Sequence, residues 1–145
     1  MLKLPISLLV LLSALVATCT AQDVHPLAQL QGSSRVLIVF APDSNSANFK
    51  RQLQLIERHA YELTERNTVV VPASYASAGT DDHFTGENLP FGSSSEQEVA
   101  RNRFHVKPGE FLVVLLSQDG TEQIRSVSPV DIHELTAKLD AMPKR

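Results

Sequence analysis

The residues able to do chemistry are few, and their spacing excludes more reactions than it suggests. The chain holds one cysteine, Cys19, so no disulfide can close within it and no pair of thiols can cycle. The histidines, His25, His59, His83, His105 and His133, are scattered, and no two stand at the i, i+4 spacing of a helical metal pair. Asp81-Asp82-His83, with Glu87 beyond it, is a local cluster of metal-ligand types. It lacks the alternating acids and the distant glutamate of a calcium loop and reads as a solvated loop. No metal and no cofactor is expected. Glu57, Glu62 and Glu65 stand among arginines on one helical stretch, which makes a solvated face rather than a carboxylate pair. No phosphate-cradling glycine loop, nucleophile elbow or zinc-protease motif occurs. No Asn-x-Ser/Thr glycosylation site occurs either.

What remains is a junction. The run VLIVFAP, ending at Pro42, is followed by Asp43-Ser44-Asn45-Ser46 and then an amphipathic stretch. Free amides at a helix start, with the hydroxyls of Ser44 and Ser46, make a place for a small anion or a carboxylate. Asp43 is itself an anion and competes for those amides. Plain helix capping by Asp43, Ser44 or Ser46 is the alternative. A serine nucleophile needs an adjacent base, and no histidine lies near in sequence.

These residues need elements to position them. Arg35–Ala41, RVLIVFA, is β-rich and continuously apolar, the mark of a strand covered on both faces. Phe49, Leu53, Ile56, Ala60 and Leu63 then form one helical stripe, and the helix is expected to run to about Arg66. Thr68–Val71 reads as a second buried strand stopped by Pro72. Residues 73–93 are irregular and rich in Gly, Ser, Asp and Asn, a loop long enough to be functional or disordered. Ser93 or Ser94, with Glu96 or Gln97, resembles a capping box for a short helix to about Phe104. Phe111–Leu116 is a strand, Asp119-Gly120 a hairpin turn, and Glu122–Val127 an outer returning strand. Ser128-Pro129-Val130-Asp131 opens a last helix, striped by Ile132, Leu135 and Leu139 and ended by Met142-Pro143.

The order is β-α-β-α-β-β-α. A right-handed β-α-β unit makes the first two strands parallel, and the hairpin adds an antiparallel pair. The result is a mixed four-stranded sheet with helices on both faces, an α/β architecture of the thioredoxin-like class. In thioredoxins a reactive thiolate sits at the junction that is Asp43–Ser46 here. They also keep a cis proline before the third core strand, facing that loop. Pro108, in Lys107-Pro108-Gly109-Glu110, precedes the strand at a looser offset. A cis bond there would expose backbone for peptide pairing, and a trans turn proline is the alternative. Arg35 and Arg125 flank strands and are read as surface ion-pairing groups that could meet at one end of the sheet.

The first 21 residues are of another kind. Met1-Leu2-Lys3 is a short basic start, residues 6–17 are apolar apart from two serines, and Thr18-Cys19-Thr20-Ala21 is a small-residue exit. That is the pattern of a secretory signal peptide, with cleavage expected after Ala21, and the run is shorter than the roughly 20 residues of a transmembrane helix. Secretion or a periplasmic location follows. Removing residues 1–21 from the 145-residue chain leaves 124, with 12 Lys+Arg against 16 Asp+Glu and no cysteine. Residues 22–34 form a polar lead-in and 35–145 the domain. The acidic balance argues against nucleic acid, and no integral membrane span remains after processing. Val16-Ala17-Thr18-Cys19 is close to a bacterial lipoprotein box, so a lipid anchor at Cys19 is a second processing outcome.

Arg35–Pro42, Arg51-Gln52 and Glu65–Val71 resemble a secreted domain-of-unknown-function family (number 4174). FHVKPGEFLVVLLSQDGTEQIR, residues 104–125, carries the resemblance best, and Leu139–Arg145 looks like that family's terminus. The resemblance implies a thioredoxin-like, peroxiredoxin-related fold, shared with animal sushi-repeat-containing matrix proteins, and no catalytic residues. The expected function is a non-catalytic binding module for an unknown protein or small anionic ligand, using Asp43, Ser44, Ser46 and Pro108. The alternative is a non-thiol enzyme, an oxidoreductase accessory or a hydrolase. It requires His83 or His105 to reach Ser44 or Ser46.

Overall fold

A computed structural model of the chain describes residues 26–74 and 94–143. Five helices and four strands follow in the order α1 (Pro26–Leu30), β1 (Arg35–Ala41), α2 (Ala47–Arg58), α3 (Ala60–Glu65), β2 (Thr68–Ser74), α4 (Ser94–Arg103), β3 (Leu112–Leu116), β4 (Glu122–Ser126) and α5 (Ile132–Ala141). The sheet order is β2-β1-β3-β4. β1 runs parallel to β2 and antiparallel to β3, and β3 pairs antiparallel with β4. This is the mixed four-stranded α/β sheet expected from the sequence.

Alternation along β1 and β3 divides the core in two, because successive side chains leave opposite faces of a strand. Leu37, Val39, Ala41, Val113 and Leu115 meet Phe49 and Ile56 of α2, Leu63 of α3 and Leu135 and Leu139 of α5. Val36, Ile38, Phe40, Leu112 and Val114 meet Leu27 of α1, Ala100 of α4 and Phe104. All seven residues of β1 are buried, which is why its sequence is continuously apolar rather than alternating. β4 is an edge strand with no buried residue.

Three boundaries differ from the sequence expectation. The long helix breaks at His59 (φ −120°, ψ 22°), which closes α2 and opens α3. His59 Nδ1 lies 2.8 Å from Glu62 Oε1, three residues on, so the pair ties the first turn of α3 to its cap. Ala60 is exposed, and the stripe position is taken instead by Gln52, which is fully buried. The second boundary is β2, which continues through Pro72 to Ser74. β2 is an edge strand bonded only to β1, and an edge tolerates a residue with no N–H to give.

The third is α5. Its cap is Asp131, whose carboxylate accepts from His133 N at 2.8 Å, not Ser128. Gln52 explains the delay. Its Oε1 accepts from Val130 N at 2.6 Å, and its Nε2 donates to Val130 O at 3.2 Å. With both backbone groups held by a side chain of α2, Val130 stays outside the helix.

The hairpin between β3 and β4 turns at Gly120, whose φ of +83° suits glycine, and a bulge falls between Leu115 and Leu116. No helix of the described residues is long and apolar enough to cross a membrane.

Candidate functional site

The C-terminal ends of parallel strands are where open α/β sheets bind ligands, because helix starts and loops converge there. Here that end comprises Ala41 of β1, Ser74 of β2, the junction Pro42–Ser46 and the turn before β3. The β1–β3 register pairs Phe40 with Leu112, which brings the junction and residues 107–111 to the same end of the sheet.

The junction is folded on itself. Asn45 N donates to Asp43 Oδ1 at 2.8 Å, and Ser46 N approaches Asp43 O at 3.4 Å. Lys50 Nζ, one turn into α2, donates to Asn45 Oδ1 at 3.1 Å. Ser46 occupies the cap position of α2, but its hydroxyl makes no capping bond. Ser44 and Ser46 are half-buried and Asp43 is exposed. The carboxylate nearest the helix start is therefore spent on the loop, and the first amides of α2 have no side-chain acceptor among the described residues.

Pro108 is exposed, in a turn closed by Glu110 N to Lys107 O at 3.0 Å and by Lys107 N to Glu110 Oε2 at 2.8 Å. No cis peptide bond occurs among the described residues, so Pro108 is trans, the turn-proline alternative. Gly109, with φ +77°, supplies the turn.

A residue the sequence reading missed lies under this end. Arg101 of α4 is 3 % exposed. Its Nη2 donates to Ala41 O at 2.5 Å and to Ala73 O at 2.8 Å, bridging the carbonyl of the last residue of β1 and that of the next-to-last residue of β2. Its guanidinium also lies 5.6 Å from the Phe40 ring centre. Two carbonyls and an aromatic ring both stabilise a cation placed there. The available signal was spacing. Gln97, Ala100 and Arg101 share one face of α4, Phe104 continues it just past the helix end, and all four are buried. Two polar residues on that stripe hid it from an apolar-periodicity reading.

The other candidates disperse. His105 is exposed, has a φ of +54° and makes no bond to Ser44 or Ser46. His59 packs edge-on against His133, with ring centres 6.4 Å apart. His25, and the cluster Asp81-Asp82-His83 with Glu87, lie outside the described residues. Arg35 and Arg125 do not meet. Arg35 donates to Arg66 O at 2.6 Å and Pro143 O at 3.4 Å, on the α5 side of the sheet. Arg125 pairs across β4 with Val114 and donates to Phe104 O at 2.8 Å, on the α4 side.

This architecture defines a class. Solved structures similar to it include the reduced 2-Cys peroxiredoxin of Plasmodium vivax, with TM-score 0.58, 17% identity, and coverage of 79% of this chain and 80% of that one. Thioredoxin peroxidase I of Plasmodium yoelii aligns with TM-score 0.59, 17% identity, and coverage of 79% and 76%. The mitochondrial 2-Cys peroxiredoxin of Plasmodium falciparum gives 0.52, 14%, 79% and 79%. At such identity the likeness is one of fold, and the fold is that of thioredoxin-fold peroxiredoxins. The chain belongs to the family described as domain of unknown function DUF4174, whose model matches residues 26–145. No curated protein matches the chain.

Proposed function

We propose that the chain is an exported, non-catalytic binding module on a peroxiredoxin-like scaffold. The observation that carries the reading is the junction after β1. A thiol enzyme of this fold needs a thiolate there, held by the helix start. Here the place is taken by Asp43–Ser46, with the Asp43 carboxylate turned onto Asn45 N. The hydrogen bond from His105 that would favour a serine-based enzyme is absent. The candidate contact surface is the end of the sheet bearing Asp43, Ser44, Ser46 and Pro108, and its ligand is a protein or a small anion.

Export rests on the basic start and apolar run of residues 1–17 and the small residues that follow. With cleavage after Ala21 the protein is secreted or periplasmic and carries no cysteine, as the family resemblance to secreted matrix domains also suggests. Intact mass and N-terminal sequencing of protein exported from its host test this directly. A start at Gln22, no titratable thiol and no consumption of hydrogen peroxide with a dithiol reductant are expected. A start at lipidated Cys19 replaces the free module with a tethered one. A retained free Cys19 with peroxide turnover overturns the reading.

A further inference from the structure

The opposite end of the sheet, about 20 Å from the junction along β1, holds an open pocket of about 190 Å³. Arg35, Lys138, Gln123, Gln118, Ser117 and Asp119 line it. Its chemistry is unbalanced towards donors. Arg35 is 6 % exposed, and among the described residues its guanidinium bonds only the carbonyls of Arg66 and Pro143. No carboxylate pairs with it among the described residues. A buried cation without a counter-ion is costly, and a cation facing an open pocket is where an anion lowers that cost. Lys138 Nζ and the Gln123 amide form no hydrogen bond or ion pair with described residues. Gln118 Nε2 is turned away to Ser33 O at 3.3 Å. Asp119 accepts from Ser117 Oγ and from Thr121 N within its hairpin.

We propose that this pocket binds the carboxylate group of a small organic monoanion, with Arg35 and Lys138 as its charge partners and Gln123 as a neutral donor. Among the described lining residues, Arg35, Lys138 and Asp119 sum to one positive charge, which one carboxylate neutralises. A phosphate dianion would overshoot that charge and face Asp119. The guanidinium fork also matches a planar carboxylate. The site is separate from the junction and stands whether or not the chain is exported.

Two sources share this chemistry, a free small carboxylate and the terminal carboxylate of a peptide. The test is an amide-resolved NMR titration of the protein as exported from its host. The probes are acetate, inorganic phosphate, and one N-acetylated dipeptide as free acid and as C-terminal amide, each at low ionic strength. Saturable shifts centred on Gln123, Lys138 and Arg35, with acetate or the free-acid dipeptide, are expected. Binding by acetate assigns the free source, and binding by the dipeptide acid alone assigns the peptide terminus. Lys138 is exposed and makes no bond, so Lys138→Gln folds and is expected to weaken binding about tenfold or more. The proposal is overturned if no carboxylate gives saturable shifts there. It also fails if the dipeptide amide or phosphate binds as well as the free acid, or if Lys138→Gln leaves affinity unchanged.

Discussion

Gln52 shows how much one side chain settles. It is fully buried and answers both backbone groups of a residue 78 positions away. Replacing it with leucine keeps the volume but strands a buried N–H and a buried C=O. The expected loss is about 2–6 kcal/mol at roughly 1–3 kcal/mol per stranded group, read as a lower urea midpoint with an unchanged m-value. Glu62 carries a smaller effect with a pH signature. The hydrogen bond from His59 holds its carboxyl below the ordinary value, with the charges of His59, Arg66 and His133 adding to it and desolvation opposing. A carboxyl depressed in the folded state binds its proton more weakly there than in the unfolded chain. Its contribution is therefore present above the ordinary glutamate value, about 4.3, and disappears as pH falls through the lower folded value. The stability difference between the native protein and Glu62→Gln should shrink steadily below about pH 4.5. A difference that stays constant down to pH 3 would contradict this assignment.

At the scale of elements, Arg101 joins α4 to the sheet. Without it the carbonyls of Ala41 and Ala73 lose a charged donor in a buried place. Arg101→Met is expected to cost about 2–4 kcal/mol, and amide exchange in α4 should quicken more than in α5. Equal acceleration in both helices would show that Arg101 acts only on global stability. The four strands were legible because β1 and β3 are fully apolar and the hairpin carries Asp119-Gly120. The break at His59 was not legible, since no glycine or proline marks it. Nor was Asp131 as the cap of α5, because the residue that excludes Val130 from the helix lies on α2. Arg101 and Arg35 were obscured for one reason. Each satisfies backbone carbonyls across a tertiary contact, which has no local sequence pattern. The residues at the junction were found from their types, but the inward turn of Asp43 depends on loop geometry.

For the whole molecule, protection should follow the sheet order. β1 and β3 are central and buried on both faces, whereas β4 is an edge strand without a buried residue. Native-state hydrogen exchange is expected to place β1 and β3 amides at the global unfolding free energy, with β4 opening earlier by local fluctuation. Uniform protection across β3 and β4 would mean that the hairpin opens as one unit.

The central place of β3 also governs the order of assembly. β1 has two neighbours, and the second of them begins only at Leu112. Until the last third of the polypeptide is present, one edge of the most apolar strand has no mate, and Gln52 has no Val130 to bind. Closing such a distant pairing costs chain entropy before it is rewarded, so sheet formation waits on the C-terminal segment. A chain of this design stays threadable while it emerges. Under the proposed export, that delay would leave the chain unfolded long enough to be translocated.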